Sequence, residues 1–105
     1  MFTIFKSLLG NNNSDLKDLF ASKDVFLVDV RSAAEFASGS VKNAVNIPLD
    51  QIGPQISKLK NKKNIVVFCR SGNRSSMAKN ILEKNGINDV TNGGSLQNMQ
   101  KYIES

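Results

Sequence analysis

A chain of 105 residues, 40% hydrophobic and 22% charged, has room for one small domain with a single core. It contains no histidine and one cysteine, which excludes an internal disulfide, His-based metal sites and Ser-His or Cys-His catalytic pairs together. Its net charge of +5 rests on eleven lysines, scattered or gathered in "KLKNKK" (Lys58 to Lys63), with one Tyr and no Trp; that is a solvated surface, not the basic-aromatic pattern of a nucleic-acid interface.

The opening "MFTIFKSLLG" is apolar but broken by Lys6. It lacks a basic n-region and a small-residue cleavage site. Residues 1–13 are therefore expected to be a loosely ordered extension ending in the "NNN" linker, with the domain occupying 14–105. No apolar run approaches the roughly 20 residues of a membrane span, so a cytoplasmic protein is expected. Ser14 suits the N-cap of a helix with Leu16, Leu19 and Phe20 on one face. "VFLVDV" (Val25 to Val30) is a short apolar run, as in a strand buried on both faces. "AAEFASG" predicts a brief helix stopped by Gly39, and "AVNIPL" (Ala44 to Leu49) a short strand. Residues 50–59 have helical spacing at Ile52, Ile56 and Leu59, made irregular by Gly53 and Pro54. "NIVVF" (Asn64 to Phe68) is a second buried strand, followed by a helix over Ser75 to Lys84 that Asn85-Gly86 ends. "INDVT" predicts a strand, "NGG" a turn, and Leu96, Met99, Tyr102 and Ile103 a closing amphipathic helix. Strands alternating with helices imply an α/β fold with a mainly parallel sheet.

The chemistry gathers at the only cysteine. Cys69 ends a predicted strand, and "RSGNR" (Arg70, Ser71, Gly72, Asn73, Arg74) carries the chain to a helix. In open α/β sheets, ligands sit beyond the carboxyl ends of strands. Gly72 and Asn73 tolerate positive φ, so successive N–H groups can turn inward as an anion nest. The helix dipole and two guanidiniums would favour a thiolate, so electrostatics takes the place of the missing histidine. A lone cysteine after an apolar strand is more often a small buried hydrophobe. A polar, doubly cationic, glycine-containing loop is not needed for that purpose. All three arginines, Arg31, Arg70 and Arg74, fall in this loop or in "DVR".

Over residues ~14–103 the chain resembles the single-domain rhodaneses, thiosulfate sulfurtransferase-type modules. The likeness rests on "FLVDVRSAAEFASGSVKNAVNIPL", "VVFCRSGNRSSMA" and the "VTNGGS" turn. It implies a five-stranded, mainly parallel sheet flanked by helices on both faces. It also implies a ping-pong reaction with no cofactor and no metal. The Cys69 thiolate would take the outer sulfur of a donor anion such as thiosulfate or polysulfide, and a thiol or cyanide would then remove it from the persulfide. Backbone N–H groups of residues 70–74 would hold the sulfur, and Arg70 and Arg74 would orient the donor. Asp29, Arg31, Glu35 and Ser75 would support the loop, with Asp29 bonding nearby amides and Arg31 pairing with Glu35 across a helix turn. Gly39, Asn46 and Pro48 would supply turn geometry.

Two positions depart from the family pattern. Ser40 stands where His is frequent, with the expected loss of a structural hydrogen bond. Ser95 and Leu96 stand where an aromatic commonly follows the Gly-Gly turn, which alters a pocket wall. Two other functions share these residues. A sulfur carrier or binding module for a partner protein would use the same cysteine and loop. A cysteine phosphatase or arsenate reductase would too, but such loops place five residues between Cys and Arg. Here four separate Cys69 from Arg74.

Overall fold

The computed structural model describes residues 12–22 and 24–103. Helix α1 (Asn12–Ser22) leads into β1 (Phe26–Asp29), α2 (Ala33–Ala37), β2 (Val45–Asn46), α3 (Leu49–Ile52) and a 3₁₀ turn (Ile56–Lys58). Then follow β3 (Ile65–Cys69), α4 (Asn73–Lys84), β4 (Val90–Ser95) and α5 (Leu96–Met99). The strands form one parallel sheet in the order β2-β1-β3-β4. The connections after β1 and β3 leave toward opposite edges, so the crevice for a ligand lies at the carboxyl ends of these two strands.

β3 is buried at all five positions, which is why its sequence is continuously apolar. Its residues alternate between two packed layers. Ile65, Val67 and Cys69 join Val28 and Val30 beneath Ile52, Leu59, Ala78 and Leu82 on the face covered by α3 and α4. Val66 and Phe68 join Leu27 on the other face, against Leu16 of α1 and Met99 of α5, with Phe20 and Tyr102 stacked at 5.7 Å on the rim. Each such aliphatic or aromatic burial contributes about 1.5–3 kcal/mol, so β3 is the structural axis on which Cys69 is mounted.

Several elements differ from the expectations. The sheet has four strands among the described residues, not five. Four apolar runs are all that the residues themselves offered, and the fifth strand came from the family likeness. Helix α1 begins at Asn12, so Ser14 lies inside its first turn and part of the "NNN" stretch is helical. The expected extension otherwise falls on residues 1–11, outside the described residues. β2 has only two residues at the sheet edge, since Pro48 has no N–H for a ladder and instead sits at the cap of α3. The helix expected over 50–59 divides at Gly53-Pro54 into α3 and the 3₁₀ turn.

The "NGG" stretch is strand, not turn. β4 runs through it with one extra residue: Val67 pairs with Asn92 and Phe68 with Gly94, leaving Gly93 as a bulge. A Cβ at Gly93 would lie 2.8 Å from Met99 Cε and 2.9 Å from Val66 Cγ1. The Gly93→Ala variant is therefore expected to lose about 1–3 kcal/mol of stability in urea unfolding, as an overpacked core does. A loss below about 0.5 kcal/mol would show that Met99 moves aside freely.

Candidate active site around Cys69

Cys69 is the last residue of β3 and is 1% exposed. The chain then turns sharply through Gly72, which has φ 98° and ψ −13° and forms the N-cap of α4. Only a glycine adopts this left-handed conformation without strain. The turn brings the Gly72 N–H within 2.9 Å of Cys69 Sγ, and the buried Ser75 hydroxyl lies 3.6 Å from the sulfur. Gly72 has no side chain to cap α4, and its own N–H points at the sulfur where the helix starts. Burial pushes the thiol pKa up, but hydrogen bonds from the Ser75 hydroxyl and from the N–H groups of Ser75, Gly72 and Ser71 outweigh it. The net direction is down from the ordinary 9.0.

The loop turns the Gly72 N–H onto Cys69 Sγ, and two details differ from the expectation. Asn73 does not take positive φ; it is the first residue of α4. The guanidiniums also do not contribute alike. Arg74 is half-buried and lies in a two-pronged ion pair with Glu35, Nη1 to Oε1 at 2.7 Å and Nη2 to Oε2 at 3.1 Å. The Arg74 hydrogen bond holds the Glu35 carboxyl well below the usual carboxylate range, and the same bond raises Arg74. Arg70 and Ser71 are exposed, and the Arg70 guanidinium has no ion pair among the described residues.

The expected Arg31–Glu35 pair is not formed. Ser32 caps α2, and Glu35 at the third helical position completes a capping box by accepting from the Ser32 N–H at 3.0 Å. The carboxylate is thereby turned toward Arg74 on the neighbouring helix. Arg31 folds back on Asp29 instead, through Nε at 3.0 and 3.1 Å and Nη2 at 2.7 Å, while Nη2 also donates to the Gly39 carbonyl at 2.7 Å. Asp29 accepts the Arg31 N–H at 3.0 Å, the amide bond expected of it. Ser40 Oγ donates to Asp29 Oδ2 at 2.9 Å, so this position makes a structural hydrogen bond without a histidine. Asn46 does more than shape a turn: its amide donates to the carbonyls of Asp29 and Arg31 at 2.9 and 3.0 Å.

One residue at the site escaped the sequence reading. Asn92 Oδ1 lies 2.7 Å from Ser75 Oγ and accepts the Gly94 N–H at 2.9 Å. It was hidden because "NGG" has the composition of a turn, where an asparagine needs no partner. Among the described residues, no group of three or more His, Cys, Asp or Glu could hold a metal ion, and no helix is long and apolar enough to cross a membrane.

Known proteins resemble this chain in sequence and in fold. The family model for the rhodanese-like domain matches residues 12–97. A sulfurtransferase from Allochromatium vinosum is 37% identical over 71 residues, covering 68% of this chain and 66% of that protein, so the chain spans just under two-thirds of that relative. The thiosulfate sulfurtransferase PspE of Escherichia coli is 34% identical over 74 residues, covering 69% and 71%. Among solved structures, a rhodanese with anions from E. coli superposes with a TM-score of 0.65 at 32% identity, over 71% of this chain and 91% of that one.

Proposed function

The chain belongs to the rhodanese-like domain family, and on that premise we propose that it moves a sulfane sulfur from thiosulfate or a similar donor to a thiol or cyanide through a persulfide on Cys69. The Cys69 thiolate attacks the outer sulfur of thiosulfate; a Cys69 Sγ–S bond forms, the S–S bond of the donor breaks, and sulfite leaves with the electron pair. An acceptor thiolate or cyanide then attacks the terminal sulfur and returns Cys69 as thiolate. The observation that carries this reading is the pair of groups on Sγ, the Gly72 N–H at 2.9 Å and the Ser75 hydroxyl at 3.6 Å. They stabilise a sulfur anion without any base nearby. Only four residues separate Cys69 from Arg74, one fewer than in phosphatase loops, and the smaller ring favours sulfur transfer over phosphatase chemistry. The acceptor is a small thiol, cyanide, or a thiol on a partner protein.

Arg70 and Arg74 supply positive potential at the mouth of the loop, where a doubly charged donor approaches. Arg70→Ala and Arg74→Ala are each expected to raise the thiosulfate KM about 10–100-fold in a thiosulfate-cyanide assay, the worth of one charge-assisted contact. Unchanged donor KM in both variants would remove the arginines from donor binding.

The lowered thiol pKa sets the pH dependence. An acid with a depressed pKa is ionised at lower pH, so the rate of sulfur loading should rise with pH and level off with a midpoint below that of an ordinary cysteine thiol. The same shift stabilises the fold above the unfolded-state thiol pKa, and this contribution is lost as pH falls through the folded value. A loading midpoint at or above that of an ordinary cysteine thiol in stopped-flow measurements would contradict the hydrogen-bonding pattern around Sγ.

A further inference from the structure

We propose that Asn92 is a positioning residue for Cys69, acting through the Ser75 hydroxyl as the acceptor that competes with the sulfur for its single proton. The inference rests on the reading of Cys69 as the reactive sulfur. Ser75 is fully buried, and its oxygen has three acceptors in reach: Asn92 Oδ1 at 2.7 Å, the Gly72 carbonyl at 3.0 Å and Cys69 Sγ at 3.6 Å. One hydroxyl can donate to only one of them at a time. The Asn92 amide orientation is fixed independently, because the Gly94 N–H can only donate and it points at Oδ1 from 2.9 Å. Asn92 pairs with Val67 in regular register just before the bulge, on the face of the sheet that Cys69 and α4 share.

Two arrangements follow. When the sulfur is a thiol, S–H donates to Ser75 Oγ and the serine proton goes to Asn92. When it is a thiolate, the serine proton turns to the sulfur and Asn92 Oδ1 keeps only the Gly94 N–H, while Asn92 Nδ2 still reaches the Gly72 carbonyl at 3.5 Å. Once a persulfide forms, the charge moves to the terminal sulfur and the serine proton can return to Asn92. Asn92 therefore opposes the free thiolate and favours the states in which Sγ itself is neutral, the thiol and the loaded persulfide. The charged groups around the loop are Arg74 with Glu35 on one side, the Asp29–Arg31 pair on the other, and exposed Arg70. None of them hydrogen-bonds to Ser75 or Asn92 among the described residues.

The test is a thiolate titration by absorbance near 240 nm, clean here because the chain has one cysteine. It does not depend on sulfur transfer, so it can fail or succeed separately from the proposed activity. Ser75→Ala should raise the thiol pKa by about one unit or more, the loss of a hydrogen bond to a charged group. Asn92→Ala should lower it by roughly half a unit, since the strongest competitor for the proton is gone. The double variant should match Ser75→Ala. If Asn92→Ala fails to fold, Asn92→Asp keeps the side-chain size; it should raise the pKa, and by less in the Ser75→Ala background. An Asn92→Ala shift that is upward, or that persists undiminished without Ser75, would overturn the proposal. So would an Asn92→Asp rise that Ser75→Ala leaves unchanged.

Discussion

Replacing Cys69 with serine is expected to lower sulfur loading from thiosulfate by at least about a thousandfold while the fold survives. A serine hydroxyl can occupy the same site and accept the Gly72 N–H that now reaches Sγ at 2.9 Å. It does not ionise near neutral pH, and oxygen is a poor nucleophile toward sulfane sulfur, so the covalent intermediate is lost. Stability should change by no more than about 1 kcal/mol, because little volume changes in the Cys69 environment. Circular dichroism and urea unfolding check the fold, and a thiosulfate-cyanide assay checks the loss. Residual activity within tenfold of the parent would mean that Cys69 is not the sulfur carrier.

The second large effect belongs to the support beneath the site. Asp29 is fully buried and accepts from the Arg31 backbone, the Arg31 guanidinium and Ser40 Oγ, so its carboxylate is matched on every side. Removing one member of a buried pair leaves the other charge without compensation, which costs about 3–5 kcal/mol. Asp29→Ala is expected to lose that much in urea unfolding, a large fraction of the roughly 5–15 kcal/mol available to a small domain. Adding Arg31→Met should restore part of it, since the stranded guanidinium goes too. The consequence reaches the site: Ser32 and Glu35 follow directly on this turn, and Glu35 holds Arg74. A loss below about 1 kcal/mol for Asp29→Ala, or no recovery in the double variant, would contradict this account.

The parts of the molecule visible in the sequence are those governed by local pattern. The apolar runs at Val25 to Val30 and Asn64 to Phe68 read as strands buried on both faces, and β1 (Phe26–Asp29) and β3 (Ile65–Cys69) fall on them. Cys69 at the end of such a run, followed by a loop with a glycine and two arginines, marks the candidate site in the sequence alone. What stayed hidden depends on contacts between distant segments. Spacing alone pairs Arg31 with Glu35, four residues apart. The capping demand of Ser32 and the approach of α4 give Glu35 to Arg74, 39 residues away. Likewise "NGG" suits a tight turn by composition. Only packing of Gly93 against Met99 and Val66 shows that the glycines admit a bulged strand, and with it Asn92, to the Cys69 loop.

The most direct test of the central claim is intact-protein mass spectrometry after incubation with thiosulfate and removal of excess donor. The account predicts a gain of one sulfur atom, absent in Cys69→Ser and discharged as thiocyanate on addition of cyanide. No gain with thiosulfate, polysulfide or any other sulfane donor, under conditions where Cys69 titrates as a thiolate, would contradict it.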